Sequence, residues 1–85
     1  KSLAAEFAPV IRVNCIAPSV TETDLSKSLL RSDKTREKIA QKHPLKKIIQ
    51  PNEVAHLAMF LAGNKSSAIT GQIFGVDGGL SNLKI

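Results

Sequence analysis

Between Val13 and Leu25 the chain reads VNCIAPSVTETDL. Just past Pro18 it carries three hydroxyls, Ser19, Thr21 and Thr23, and two carboxylates, Glu22 and Asp24. Hydroxyls both donate and accept hydrogen bonds, so a loop furnished this way can hold a polar ligand, which a bare connecting turn has no need to do. The competing reading is a capping turn, in which Thr21 or Thr23 satisfies the first N–H groups of a following helix. Other reactive residue types are sparse. Cys15 lies inside the apolar run IRVNCIA, cannot form an internal disulfide, and reads as a small buried hydrophobe rather than a reactive thiol. His43 and His56 share no short ligand spacing with each other or with Cys15, so no zinc or other metal site is expected.

Composition narrows the class of protein. The chain has 85 residues, 42% hydrophobic and 22% charged, which suits one small globular domain and argues against disorder. The net charge of +5, with KHPLKK at 42–47, invites a nucleic-acid reading. Three phenylalanines without tyrosine or tryptophan give no stacking platform, and no DNA- or RNA-binding signature accompanies the charge, so a solvated lysine-rich loop is the better account. No apolar run approaches the ~20 residues of a membrane span, and no secretory leader pattern is present. A soluble, cytoplasmic protein with neither nucleic-acid nor membrane partners is the expectation. NKS at 64–66 has the form of a glycosylation acceptor, a chance pattern in such a protein.

The elements that must carry the loop follow from periodicity and punctuation. SLAAEFAP, Ser2 to Pro9, reads as the last turns of a helix, with Leu3 and Phe7 on one face and Pro9 ending the run. With no capping residue ahead of it, the helix looks cut rather than begun. IRVNCIA, Ile11 to Ala17, suits a central strand covered on both faces, and Pro18 stops it by removing a ladder donor. From Asp24 to Lys42 the leucines give a weak helical pattern broken near RSDK, so two short helices are expected, the second capped by Ser32 or Asp33.

Gln50 to Gly63 carries the clearest helix signal. Pro51 fits the first helical position, Glu53 complements the positive end of the dipole, and Gly63 fits a left-handed terminating position. Val54, Leu57, Ala58 and Leu61 form a stripe that Ala55, Met59 and Ala62 widen, so this helix should be covered on two sides. Gln72 to Val76 reads as a strand closed by an Asp-Gly-Gly turn. Strand, crossover with helix, and parallel strand make one unit of an open α/β sheet. Two strands with bare edges do not make an independently stable sheet, so partners or further chain must complete it.

Taken together, SLAAEFAPVIRVNCIAPSVTETDL, PNEVAHLAMFLAGNKSSAITGQIFGVDGG and their order resemble the C-terminal third of the short-chain dehydrogenase/reductase family, similar to its β-ketoacyl carrier protein reductase members. The resemblance covers nearly the whole chain. It implies the C-terminal part of a Rossmann-like, doubly wound parallel α/β sheet, with residues 1–85 forming one portion of an NAD(P)-binding domain and 24–49 a variable substrate lid. It also implies that the loop Pro18, Ser19, Val20, Thr21, Glu22, Thr23 closes over the nicotinamide of NAD or NADP. On that basis Pro18, Ser19, Thr21 and Thr23 are the candidate cofactor-binding residues, the backbone near Thr21 meeting the carboxamide and Thr23 the carboxamide or pyrophosphate. A carboxamide offers donors and an acceptor, so a main-chain N–H, a C=O and a hydroxyl can fix its orientation.

Ser19 stands where the family usually has glycine, a costly exchange only if φ there is positive. Lys27 and Arg31 could meet an anionic substrate, but surface solvation is the better account of them. The family's glycine-rich dinucleotide loop and its catalytic Asn, Ser, Tyr and Lys find no counterpart here. Its Tyr-x-x-x-Lys pair would sit upstream of Lys1, and the chain contains no tyrosine, so no catalytic residue is assigned. The implied activity of the whole protein is hydride transfer between an alcohol and a carbonyl on a small-molecule substrate, with a homo-oligomer formed through helix 51–62 and strand 72–76. A stand-alone, non-catalytic module that pairs its strand edges or docks on a partner is the alternative.

Overall fold

A computed structural model describes residues 2–83. Its elements are α1 (Ser2–Phe7), β1 (Cys15–Pro18), α2 (Asp33–Lys42), α3 (Pro51–Ala62), a 3-10 turn (Asn64–Ser66) and β2 (Ile73–Val76). The two strands are parallel and adjacent, with Cys15 opposite Ile73 and Pro18 opposite Val76. Their carboxyl ends therefore lie at one edge, from which both the Ser19 loop and the Asp77–Gly79 turn depart. The expected strand–crossover–parallel strand unit is thus present, with α3 against β1.

Two side chains from the stretch before β1 set this arrangement. Arg12 donates to four carbonyls at the end of α3 and beyond: Leu61 (2.9 Å) and Gly63 (3.3 Å) from Nη2, Ser66 (3.0 Å) and Ile69 (3.1 Å) from Nη1. Those of Leu61 and Gly63 are carbonyls that the end of α3 leaves without a partner, here met by a cation where the macrodipole is negative. Asn14 donates to the Ile69 carbonyl at 3.0 Å and accepts from the Gln72 N–H at 3.1 Å, fixing the register with which β2 begins. Ser66 lies in the NKS pattern. It is buried, with its hydroxyl donating to Leu61 and Gly63, so its role is to close the helix end.

Several expectations need correction. Regular strand pairing covers Cys15–Pro18 rather than 11–17, and Pro18 belongs to β1 as its last residue, where its missing N–H costs no ladder bond. The strand is not covered on both faces: Cys15, Ala17 and Pro18 are exposed, and Cys15 is a free, exposed thiol rather than a buried one. The physical reason is that helices cover the faces of a sheet, and among the described residues α3 is the helix that packs against β1. Helix α3 forms as expected from Pro51, but among the described residues none of its side chains is buried, and Met59 and Phe60 are 72% and 44% exposed. Gly63 ends it in extended backbone (φ −94°, ψ 176°), not a left-handed turn, because Arg12 and Ser66 already satisfy the last carbonyls.

In the 24–42 region, Ser32 does cap α2, accepting from the Thr35 N–H at 3.4 Å. Residues 24–30 form successive turns rather than a first helix. Among the described residues the buried apolar side chains are Ala4 of α1 and Leu30, Ile48 and Ile49 of the 24–49 segment. The Cα radius of gyration is 15.4 Å, whereas a compact chain of this length would have about 12 Å. The shape is elongated because, among the described residues, a two-stranded sheet offers little for the helices to wrap around.

Candidate functional site

The loop that leaves β1 begins with its backbone still tied to the sheet, the Ser19 N–H donating to the Val76 carbonyl at 3.1 Å. It then pairs with the return of the 24–49 segment: Thr21 bridges Ile49 in parallel, and the Glu22 N–H donates to the Ile49 carbonyl at 2.9 Å. The segment thus leaves and re-enters the structure at one point. Pro18 is exposed at the strand end, Ser19 and Thr21 are half-buried, and Thr23 is exposed. All four candidate residues lie at or beyond the carboxyl end of a parallel strand, where ligands of open α/β sheets bind.

Their hydroxyls are engaged differently. Thr21 Oγ1 donates to the Ser19 carbonyl at 2.8 Å, bracing the loop from within. Neither Thr21 nor Thr23 caps a helix, so the capping alternative is not what forms. Ser26 closes the turn instead, its hydroxyl accepting from the Thr23 N–H at 2.9 Å and donating to the Thr21 carbonyl at 2.5 Å. Among the described residues the Thr23 hydroxyl has no hydrogen-bond partner, so it remains available to a ligand. Ser19 does not adopt a positive φ: among the described non-glycine residues only Lys46 does, at 56°. Serine in the glycine position is therefore free of backbone strain.

Three residues from outside the loop, none of them a candidate from the sequence, hold it in place. Glu22 receives a two-pronged guanidinium from Arg36 of α2, at 2.7 and 3.1 Å, and the Gln50 Nε2 donates to it at 3.1 Å. The hydrogen bonds from Arg36 and then Gln50 hold the Glu22 carboxyl at about 2, well below the ordinary carboxylate range. The third is His43, just past α2 and 2% exposed, whose Nε2 lies 2.8 Å from Ser19 Oγ. A glutamate in ETD and a histidine before proline carry no pattern of their own; only the pairing in space gives them a role.

The Asp-Gly-Gly turn completes the edge. Gly78 and Gly79 take φ of 60° and 89°, and a Cβ on Gly78 would stand 3.2 Å from the His43 side chain. The Leu45 N–H donates to the Gly78 carbonyl at 3.0 Å. Contacts with Ser81, together with the Gly79 N–H, hold the Asp77 carboxyl below its usual value. Among the described residues no cluster of His, Cys, Asp or Glu could hold a metal ion.

Comparison with known proteins agrees with this geometry. A family model described as enoyl-(acyl carrier protein) reductase matches residues 1–81. The 3-oxoacyl-[acyl-carrier-protein] reductase FabG of Chlamydia muridarum is 48% identical over 71 residues, which are 84% of this chain and 28% of that protein. A short-chain dehydrogenase family protein from Francisella tularensis superposes with a TM-score of 0.91 at 35% identity, covering 98% of this chain and 38% of the other. A 4-hydroxyisoleucine dehydrogenase complexed with NADH superposes with a TM-score of 0.89 at 28% identity, covering 98% and 35%. The architecture is thus that of an α/β, Rossmann-type oxidoreductase sheet. The chain belongs to the short-chain dehydrogenase/reductase family, and it spans less than a third of the length of the curated FabG relative it matches.

Proposed function

We propose that this chain is the C-terminal part of one NAD(P)-binding domain and provides its nicotinamide-side loop, its substrate lid (24–49) and an oligomer surface. The observation that carries this reading is the loop Pro18–Thr23 itself. It stands at the carboxyl end of a parallel strand, is braced by Thr21, Ser26 and Glu22, and leaves the Thr23 hydroxyl without an internal partner. Thr23 and the loop backbone would hold the carboxamide of NAD or NADP, a cofactor that would accept a hydride from an alcohol in its oxidised form or give one to a carbonyl in its reduced form. The residues of this chain bind and orient; it contains no tyrosine and so does not itself supply the family's tyrosine proton donor.

Helix α3 and strand β2 form the proposed face toward a second copy, supported by the exposed Met59, Phe60 and Ile73. The test is a titration of the isotope-labelled protein with NADH and with NADPH, followed through backbone amides. Shifts centred on residues 18–23, and weakened by Thr23→Val, are the expected result. Shifts elsewhere, or none with either cofactor, would refute the assignment of the loop.

A further inference from the structure

His43 is at once the buried ionisable side chain of the described residues and the joint between three segments distant in sequence. Its Nδ1 lies 2.8 Å from the Ile39 carbonyl in α2, its Nε2 lies 2.8 Å from Ser19 Oγ, and its side chain packs against Gly78. We propose that His43 is a positioning residue, latching the nicotinamide-side loop to helix α2 so that the loop and the 24–49 segment move as one body. The proposal rests on the loop assignment above for its functional meaning, and on the hydrogen bonds alone for its mechanics.

The bond directions follow from the chemistry of the partners. A carbonyl only accepts, so Nδ1 carries the proton toward Ile39. In the neutral ring Nε2 is then an acceptor, and the Ser19 hydroxyl must donate to it. With its one hydrogen committed to His43, the Ser19 oxygen retains acceptor capacity only. It is thereby suited to an N–H donor such as the amino group of a primary carboxamide, and unsuited to a carbonyl. The same hydroxyl would be missing with glycine at position 19, so the latch depends on the serine that replaces it.

No other bond ties Ser19 Oγ to the chain among the described residues, and with His43 buried and Ser19 half-buried the bond lies partly out of water, where it is worth more than one at the surface. Glu22 with Arg36 provides a second tie between the loop and α2, lying half-exposed. The two ties act on opposite ends of α2: Arg36 on its first turns, and His43 just past its last residue.

The test compares wild type with Ser19→Ala, Ser19→Thr and His43→Phe, in the protein at the length its host produces. Ring-nitrogen NMR of His43 should show the Nδ1–H form in the wild type. Its Nε2 signal should move toward that of an unbonded nitrogen in Ser19→Ala and return in Ser19→Thr. Amide exchange in Asp33–Lys42 should rise about fivefold in Ser19→Ala, the factor corresponding to loss of one hydrogen bond, while α3 is unchanged. Addition of NADH or NADPH should slow exchange in α2 in the wild type, and in Ser19→Ala only in the loop. If the mutation opens α2 yet neither cofactor binds the wild type, the latch stands and the loop assignment falls. If α2 exchange and the His43 signal are the same in Ser19→Ala as in wild type, the latch is overturned, whatever the cofactor does.

Discussion

Glu22 ties the loop after β1 to α2 through Arg36 and to the start of α3 through Gln50. Because its carboxyl is held down to about 2 in the folded chain against 4.5 ordinarily, it binds fewer protons folded than unfolded. Its contribution to stability is therefore fully present above pH 4.5 and is lost as the pH falls from there toward 2. Glu53, lowered by the Lys47 ion pair, and Asp77 act in the same direction. Acid unfolding followed by circular dichroism should be shallower over that window for Glu22→Gln than for the wild type; identical slopes would mean that the Arg36 pair does not survive in solution. Lys46 makes a second residue-scale prediction. Its φ of 56° is left-handed, where a side chain costs energy that glycine does not incur. Lys46→Gly should raise stability by about 1 kcal/mol, read as a higher urea midpoint at an unchanged slope.

At the scale of elements, the fold is held by a few polar side chains rather than by a large apolar core. Arg12 replaces what a left-handed glycine cap would have done for α3, and it joins the approach to β1 to the approach to β2. Arg12→Leu should therefore destabilise by ~2–4 kcal/mol, since several carbonyls lose a charged donor at once. Thermal melts of Arg12→Leu and Arg12→Lys should rank both below the wild type, with Leu the lower. A melt of Arg12→Leu within a degree of the wild type would show that water replaces the guanidinium at little cost.

Legibility in the sequence divides along the same line. Helix α3 was readable because Pro51, Glu53 and Gly63 punctuate it locally, and the two strands were readable because their apolar runs end at Pro18 and at Asp-Gly-Gly. What escaped the sequence was set by partners far along the chain. Arg12 determines how α3 ends, Glu22 and His43 fix the loop, and the bareness of β1 makes Cys15 exposed. The candidate residues at 18–23 were found through their family resemblance and are placed together at one edge. The histidine that braces them belongs to no spacing pattern at all.

The whole molecule is elongated and carries its apolar surface outward. Leu3, Met59, Ile73 and Leu83 are each more than half exposed, and the two-stranded sheet presents open edges. Exposed apolar area together with unpaired strand edges favours association. Light scattering over a concentration series should give masses above the 9.1 kDa of the single chain, and the pair Met59→Glu with Ile73→Lys should lower them. A concentration-independent mass of one chain would contradict this picture of its surface. No described helix is long and apolar enough to cross a membrane.

The pairing of Thr21 with Ile49 gives the intervening residues a particular freedom. Because the segment departs and returns through one bridged base, the turns between that base and its tied residues, Arg36 and His43, can be lengthened or shortened without moving the strands that carry it. Loop closure makes such edits inexpensive, about 0.6 kcal/mol for each doubling of length. A framework built this way is a socket for interchangeable cassettes: the base and its ties are kept, and the turns between them are exchanged without refolding the sheet.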